Sequence, residues 1–202
     1  MTPRTSVVES VDTDVDQVLL ADGTPAIVRR LTASDRPAVT ELFDSCSEAN
    51  LYTRFFTLGH SMVARHVDHL CDKTSNAVSY VAELGERIIG VADVEPCEPG
   101  TSEIAFLVAD DMHGLGVATL ILERAARDAW AAGTEWFVAD VLAVNHPMLE
   151  VFSDAGYRVE RHLARSEVSL RMSTECTPAV RAATAMRQRS ALARQPAASS
   201  SP

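Results

Sequence analysis

The chain of 202 residues lacks most of the marks of specialised protein classes. Its apolar runs fall short of the roughly 20 residues that a bilayer-spanning helix needs, so no membrane partner is expected. The four cysteines, Cys46, Cys71, Cys97 and Cys176, show no CxxC spacing. They read as reduced, mostly buried thiols of a cytoplasmic protein, not as a disulfide scaffold. His66, His69 and Cys71 match no strong zinc spacing, and no metal is expected. Positive charge is scarce: 18 Lys and Arg stand against 28 Asp and Glu, a net charge of −10. That balance argues against general binding to nucleic acid, whose phosphates demand a basic face. It suits a basic partner such as a lysine-bearing protein, and equally suits mere solubility. The N-terminus has no apolar core of a secretion signal.

What is present fits one soluble domain, with 47% hydrophobic residues and enough length for a core without staples. Residues 1–22 read as a flexible acidic N-terminus, 23–172 as the folded domain, and 173–202 as an Ala/Arg-rich tail, helical or disordered. The tail carries four arginines and one acid. No internal repeat is visible. Strand patterns occur in "TPAIVRRL", "AVSYVAEL", "RIIGVADVEP", "TSEIAFLVAD", "EWFVADVLAVN" and "RSEVSLRM". Helix patterns occur in "SDRPAVTELFDSC" with Ser34 as N-cap, in "ANLYTRFF", in "SMVARHVDHLCD" with Met62, Val63, Val67 and Leu70 on one side, and in "HPMLEVFSDAG". The longest helix follows "HGLG" and ends near Gly133. The order β-α-α-α-β-β-β-α-β-α-β predicts an α/β fold, a mixed central sheet with helices on its faces.

Gly114 and Gly116 interrupt the chain between a strand and that longest helix. Glycine is about 1 kcal/mol worse than alanine inside a helix. At a helix start it permits a sharp bend and a close approach to backbone amides. The first amides of a helix have no internal partner, and the aligned peptide dipoles make them a seat for an anion. The turn ends in no GK[ST], so it is no Walker loop, and it is not GxGxxG. A connection that binds nothing has the same sequence form.

"HGLGVA" resembles the pyrophosphate loop, [Q/R]-x-x-G-x-[G/A], of the GNAT acetyltransferase superfamily. His113 stands where Gln or Arg is usual, Gly116 is the central glycine and Ala118 closes the motif. "VNHPMLEVFSDAGYRVE" is similar to the family's strand–Asn–helix–Gly–aromatic segment. "NLYTRFF" followed by "SEIAFLVADDMHGLG" resembles the acetyltransferase domain of bacterial protein-lysine acetyltransferases. The resemblance covers about residues 24–172. It implies a GNAT fold with a splayed sheet, acetyl-CoA as co-substrate and an amine acceptor, preferably a protein lysine. The backbone of Phe106, Leu107 and Val108 would bind the pantetheine arm. His113, Gly114, Leu115, Gly116, Val117 and Ala118 would face the pyrophosphate, and Asn145 would lie near the arm's other side.

A lysine amine has a pKa near ~10.4 and must lose a proton before it attacks a thioester. The resembled enzymes carry the base ten residues before the glycine motif, which here is Glu103. A solvated carboxylate near a strand end is the plainer reading, and Glu95 and Glu98, in a Pro-containing loop, are runners-up. Tyr52, Arg54, Phe55 and Phe56 are candidates for an acceptor cleft; aromatics at this spacing also suit a core, and Arg54 also suits an ion pair. Arg124 reads as an exposed arginine or a phosphate contact, and Trp130 and Trp136 as a pair packing helix on strand. Phe152 occupies the place where many family members have a tyrosine acid. A thiolate, with a thiol pKa near ~8.5, can leave without one. Two other classes stay open: a non-catalytic acyl-CoA-binding module and a nucleotide-binding α/β protein. A small-molecule amine competes with lysine as acceptor, and the sequence sets no oligomeric state.

Overall fold

A computed structural model describes residues 15–55, 60–72 and 76–195. Strands β1 (Val15–Leu19) and β2 (Pro25–Arg30) form the first hairpin, and a single 3-10 turn leads into α1 (Arg36–Ser45). Helices α2 (Glu48–Phe55) and α3 (His60–Leu70) follow. Next come β3 (Val78–Leu84), β4 (Arg87–Glu98) and β5 (Thr101–Val108). The chain continues through α4 (Val117–Ala131), β6 (Trp136–Leu142), α5 (His146–Asp154), β7 (Val159–Ala164), β8 (Glu167–Ser173) and α6 (Pro178–Leu192).

The eight strands form one sheet in the order β1-β2-β3-β4-β5-β6-β8-β7. Every neighbouring pair is antiparallel except β5 and β6, which run parallel. Side chains of a strand alternate between faces. Ile104, Phe106 and Val108 point to the face covered by α4 and α5: Phe106 meets Phe152 of α5 edge-on at 6.0 Å, and Val117 of α4 packs at Gly90, the partner of Val108. Glu103 and Ala105 therefore point to the opposite face, where α1 lies on β4, α2 lies on β5, and Arg54 of α2 and His69 of α3 reach acids of β4. The core is continuous through both faces, with Val28, Phe43, Ile89, Ile104, Ile121, Phe137 and Met172 buried.

Several expectations change. The stretch read as flexible contains β1, which pairs with β2 and is held by Asp16 to Arg124 and Arg127. Arg124 is thus neither exposed nor a phosphate contact: it is 3% exposed and also ion-paired to Asp128 one turn on. Strand β7 escapes hydrophobic patterning because it is a solvent-facing edge whose residues after Val159 are all exposed. Thr32, not Ser34, caps the first helical turn, through a reciprocal box with Asp35. Glu95 and Glu98 belong to β4 and not to a loop, with an irregularity between Pro96 and Glu98. Trp136 is clamped between Arg158 and Arg171 at 4.7 and 4.3 Å, while Trp130 is exposed. The tail is helical through α6, which packs on the domain. Arg187 and Thr184 reach Glu123 of α4, and Arg194 donates to the Ala21 carbonyl at 3.0 Å. No described helix is long and apolar enough to cross a membrane.

Candidate active site

The parallel ladder between β5 and β6 consists of Thr101↔Trp136, Ser102↔Phe137 and Glu103↔Val138. Beyond Glu103 the strands run on to Val108 and Leu142 with no further pairing to each other among the described residues. Parting strands leave backbone groups that need a partner. The Ala109 amide donates to Ile89 on β4, so by alternation the peptide groups of Phe106 and Val108 face the β6 side. Leu107 directs its peptide groups to β4 instead, which corrects its place in a gap-facing set. The Val108 carbonyl is also engaged: Asn50 of α2 donates to it at 2.8 Å, and His113 Nε2 lies 3.1 Å away.

At the far end of β5 the chain turns through Gly114 and Gly116, both left-handed, with φ of 78° and 79°. Any side chain pays for that conformation, about 1–2 kcal/mol for an L-residue. A Cβ at either position would meet nothing within 4 Å, so the turn needs glycine for its dihedrals and leaves open space before α4. Gly116 is the N-cap, and no side chain caps the helix. The first intrahelical bond runs from Leu120 N–H to Gly116 O, so the amides of Val117, Ala118 and Thr119 precede the ladder. These amides, the open space and the parted strands fit a pyrophosphate and an amide-bearing arm. The Leu115 amide turns back to Met112, and the Leu115 carbonyl accepts from Ala21. His113 is folded back beside Asn50, and its Nε2, when protonated, donates to the Val108 carbonyl at the end of β5. Asn145 caps α5 by accepting from the Met148 amide at 3.2 Å, which commits its Oδ1.

Glu103 sits at the last rung before the strands part. Opposite it on β4 is Glu95, which pairs with His69 of α3 at 2.8 Å. Partial burial raises the Glu103 pKa above the usual carboxylate range; Arg54 opposes this, and Glu95, Asp140 and Asp93 add to it. Two cavities meet at this carboxylate. One, of about 420 Å³, is lined by Arg54, Phe55, Arg65, His66, His69 and Asp93 together with Glu95 and Glu103. The other, of about 330 Å³, lies over Val138, Asp140, Glu160, His162 and Arg171.

Of the expected cleft residues, Arg54 and Phe55 line the first cavity, and Phe55 also packs against Phe43 and His66. Tyr52 is exposed on the same helix, and Phe56 lies outside the described residues. The Arg54 guanidinium is engaged, 2.7 Å from buried Asp93. Burial, with Arg54 alongside, pushes the His66 pKa down to about 4, so the ring is neutral. Asp93, His66 and Asn50 were absent from the expected site. Asp93 carried a usable signal, a lone acid inside the apolar run "RIIGVADV". Phe152, at the position of the expected acid, is 1% exposed and packs on Phe106, so it offers only an apolar wall.

The acetyltransferase (GNAT) domain family matches residues 26–158. An acetyltransferase from Pseudomonas aeruginosa is 26% identical over 164 residues, covering 78% of this chain and 88% of that protein. Among solved structures, the GNAT domain of S. lividans PAT is 30% identical with a TM-score of 0.68, covering 79% of this chain and 96% of that one. Mycobacterium smegmatis RimJ, solved with CoA-disulfide, shares the fold at 16% identity and a TM-score of 0.63, covering 86% and 94%.

Proposed function

Because the chain belongs to the GNAT acetyltransferase family, whose members use acyl-CoA, we propose that it transfers an acetyl group from acetyl-CoA to a protein lysine with Glu103 as general base. The observation that carries this reading is the position of Glu103, at the rung where β5 and β6 part and where two cavities meet. A site open on both sides of the base suits a polypeptide that runs through it. A small amine needs only one enclosed pocket. The 30% identity with the GNAT domain of S. lividans PAT supports the same acceptor class.

Acetyl-CoA supplies the activated thioester. The chain's own groups do the rest. The amides at the start of α4, with Gly114 and Gly116 clearing the approach, hold the pyrophosphate. The Phe106 peptide group and the Val108 amide bind the arm in the gap. Asn145 stands on the far side with its Nδ2 amide as the available donor. Glu95 and Glu103 attract a protonated amine, and Glu103 takes its proton directly or through a water. A raised pKa makes that carboxylate a better base at neutral pH. Phe55 and the stem of Arg54 form one wall of the acceptor cleft, with Tyr52 exposed on the same helix as a further contact for the acceptor. The thiolate leaves without an acid, since Phe152 cannot supply one.

The test is mass spectrometry of lysine peptides and of small amines incubated with enzyme and acetyl-CoA. The chain contains one lysine, Lys73, so background from self-acetylation is confined to one site. N6-acetylated peptide at rates above those of small amines is expected. Turnover of small amines alone would reassign the acceptor.

A further inference from the structure

We propose that Asp93 is a positioning residue that holds the Arg54 guanidinium away from Glu103, leaving the Glu103 carboxylate unpaired for the incoming amine. The inference rests on the assignment of Glu103 as the base. Asp93 faces Ala105 across the β4–β5 ladder, two positions along β5 from Glu103. Such diagonal neighbours lie about 7–8 Å apart, within the sweep of one arginine side chain. Ala105 is small and leaves the way between them clear. Arg54, Asp93, His66 and Glu103 line the same cavity. Yet among the described residues no hydrogen bond or ion pair reaches the Glu103 carboxylate. Arg54 instead donates from Nη2 to Asp93 Oδ1 at 2.7 Å and lies 3.3 Å from His66 Nε2. A neutral His66 with its proton on Nδ1 accepts there, so one carboxylate and one imidazole hold the fork. Phe55 lies beneath the guanidinium at 5.1 Å.

An arginine paired directly to a carboxylate lowers its pKa by about 1–3 units and weakens it as a base. Asp93 offsets that charge at its source. The other charged or titratable groups around Glu103 are Arg65, His66 and His69 from α3, Glu95 from β4, Asp140 from β6, Glu160, Arg161 and His162 from β7, and Arg171 from β8. Of these, Glu95 and Asp140 push Glu103 upward as Asp93 does. Arg54 is the cation whose position decides the balance.

The experiment compares wild type, Asp93→Asn, Asp93→Glu and the double variant Arg54→Met with Asp93→Asn. Two readouts are used: kcat against pH with a lysine peptide, and the titration of the Glu103 carboxyl carbon by NMR, assigned through Glu103→Gln. Asp93→Asn is expected to lower kcat at least tenfold and to move both the acid limb and the Glu103 titration down by about 1 pH unit. The double variant returns the Glu103 titration toward its wild-type position, and Asp93→Glu, which keeps the charge, retains both readouts and serves if Asp93→Asn does not fold. An unmoved Glu103 titration in Asp93→Asn overturns the proposal, as does a double variant no better than Asp93→Asn. The titration is independent of turnover. A fully active Glu103→Gln therefore removes the base assignment without being confused with failure of the shield.

Discussion

Glu103 and Val138 form the last residue pair that β5 shares with β6, and the gap that follows ends at the left-handed glycines before α4. One strand thus carries a carboxylate at the closed end of the gap and an anion seat at its open end. The length of β5 sets their separation, so on the proposed mechanism one rigid element would place both the reacting amine and the diphosphate.

Gly116→Ala tests the anion seat. The added methyl meets no atom, so the cost to stability is the left-handed backbone alone, about 1–2 kcal/mol. Acetyl-CoA affinity is expected to fall about tenfold or more, since the methyl stands before the amides that receive the pyrophosphate. Calorimetric titration gives the affinity and thermal melting the stability. Affinity unchanged beside a lowered melting temperature would move the phosphate elsewhere.

His66 predicts an acid-sensitive fold. Its folded pKa of about 4 lies below the ordinary value near 6.5, so between those pH values the unfolded chain binds a proton that the folded chain does not. Stability therefore falls as pH drops from 6.5 to 4, by about 2–3 kcal/mol, and this contribution stops changing below 4. Urea melts of wild type and His66→Gln across this range measure it. The slope in that window should flatten in the variant, whatever its stability at pH 7.

The sequence showed the α4 turn, the β3–β4 hairpin and the α5 segment because each has a strong local cause: glycine at a bend, alternating apolar strands, proline at a helix start. Val159–Ala164 had no such cause, since an exposed edge strand has no apolar face to pattern. Val15–Leu19 was hidden for a different reason. Beside its pairing with β2, its hold on the domain comes from Asp16, an acid that meets Arg124 and Arg127 only after α4 is folded. The site divides the same way. Glu103 is proposed from the resemblance, and its place at the last β5–β6 rung is what the structure adds. Asp93 and His66 matter through each other and through Arg54, and no spacing within one segment encodes contacts among β4, α3 and α2. The fold-back of His113 has no local cause in the sequence, since its partner, the Val108 carbonyl, is a backbone atom that sequence does not flag.

The C-terminal helix makes a separate prediction. A Cβ on Gly23 would come within 2.6 Å of the Gln195 backbone nitrogen, and Gly23 itself has a φ of 91°. Gly23→Ala should therefore carry two costs, the backbone cost of about 1–2 kcal/mol and the displacement of the Arg194–Gln195 segment that follows α6. In a chain ending at residue 177 only the first should remain. Denaturant melts of the four proteins form a double-mutant cycle, and equal losses in long and short chains would show that α6 does not bear on Gly23.

The most direct test of the account is a single pair of measurements on Glu103→Gln: acetyl-CoA affinity, and the rate of acetyl transfer to a lysine peptide at neutral pH. The predicted result is affinity within about twofold of wild type and turnover lower by about 10²–10⁴, the range for loss of a general base. Turnover equal to wild type would contradict the account, because the proton would then leave the amine by a route that does not involve the carboxylate where β5 and β6 divide.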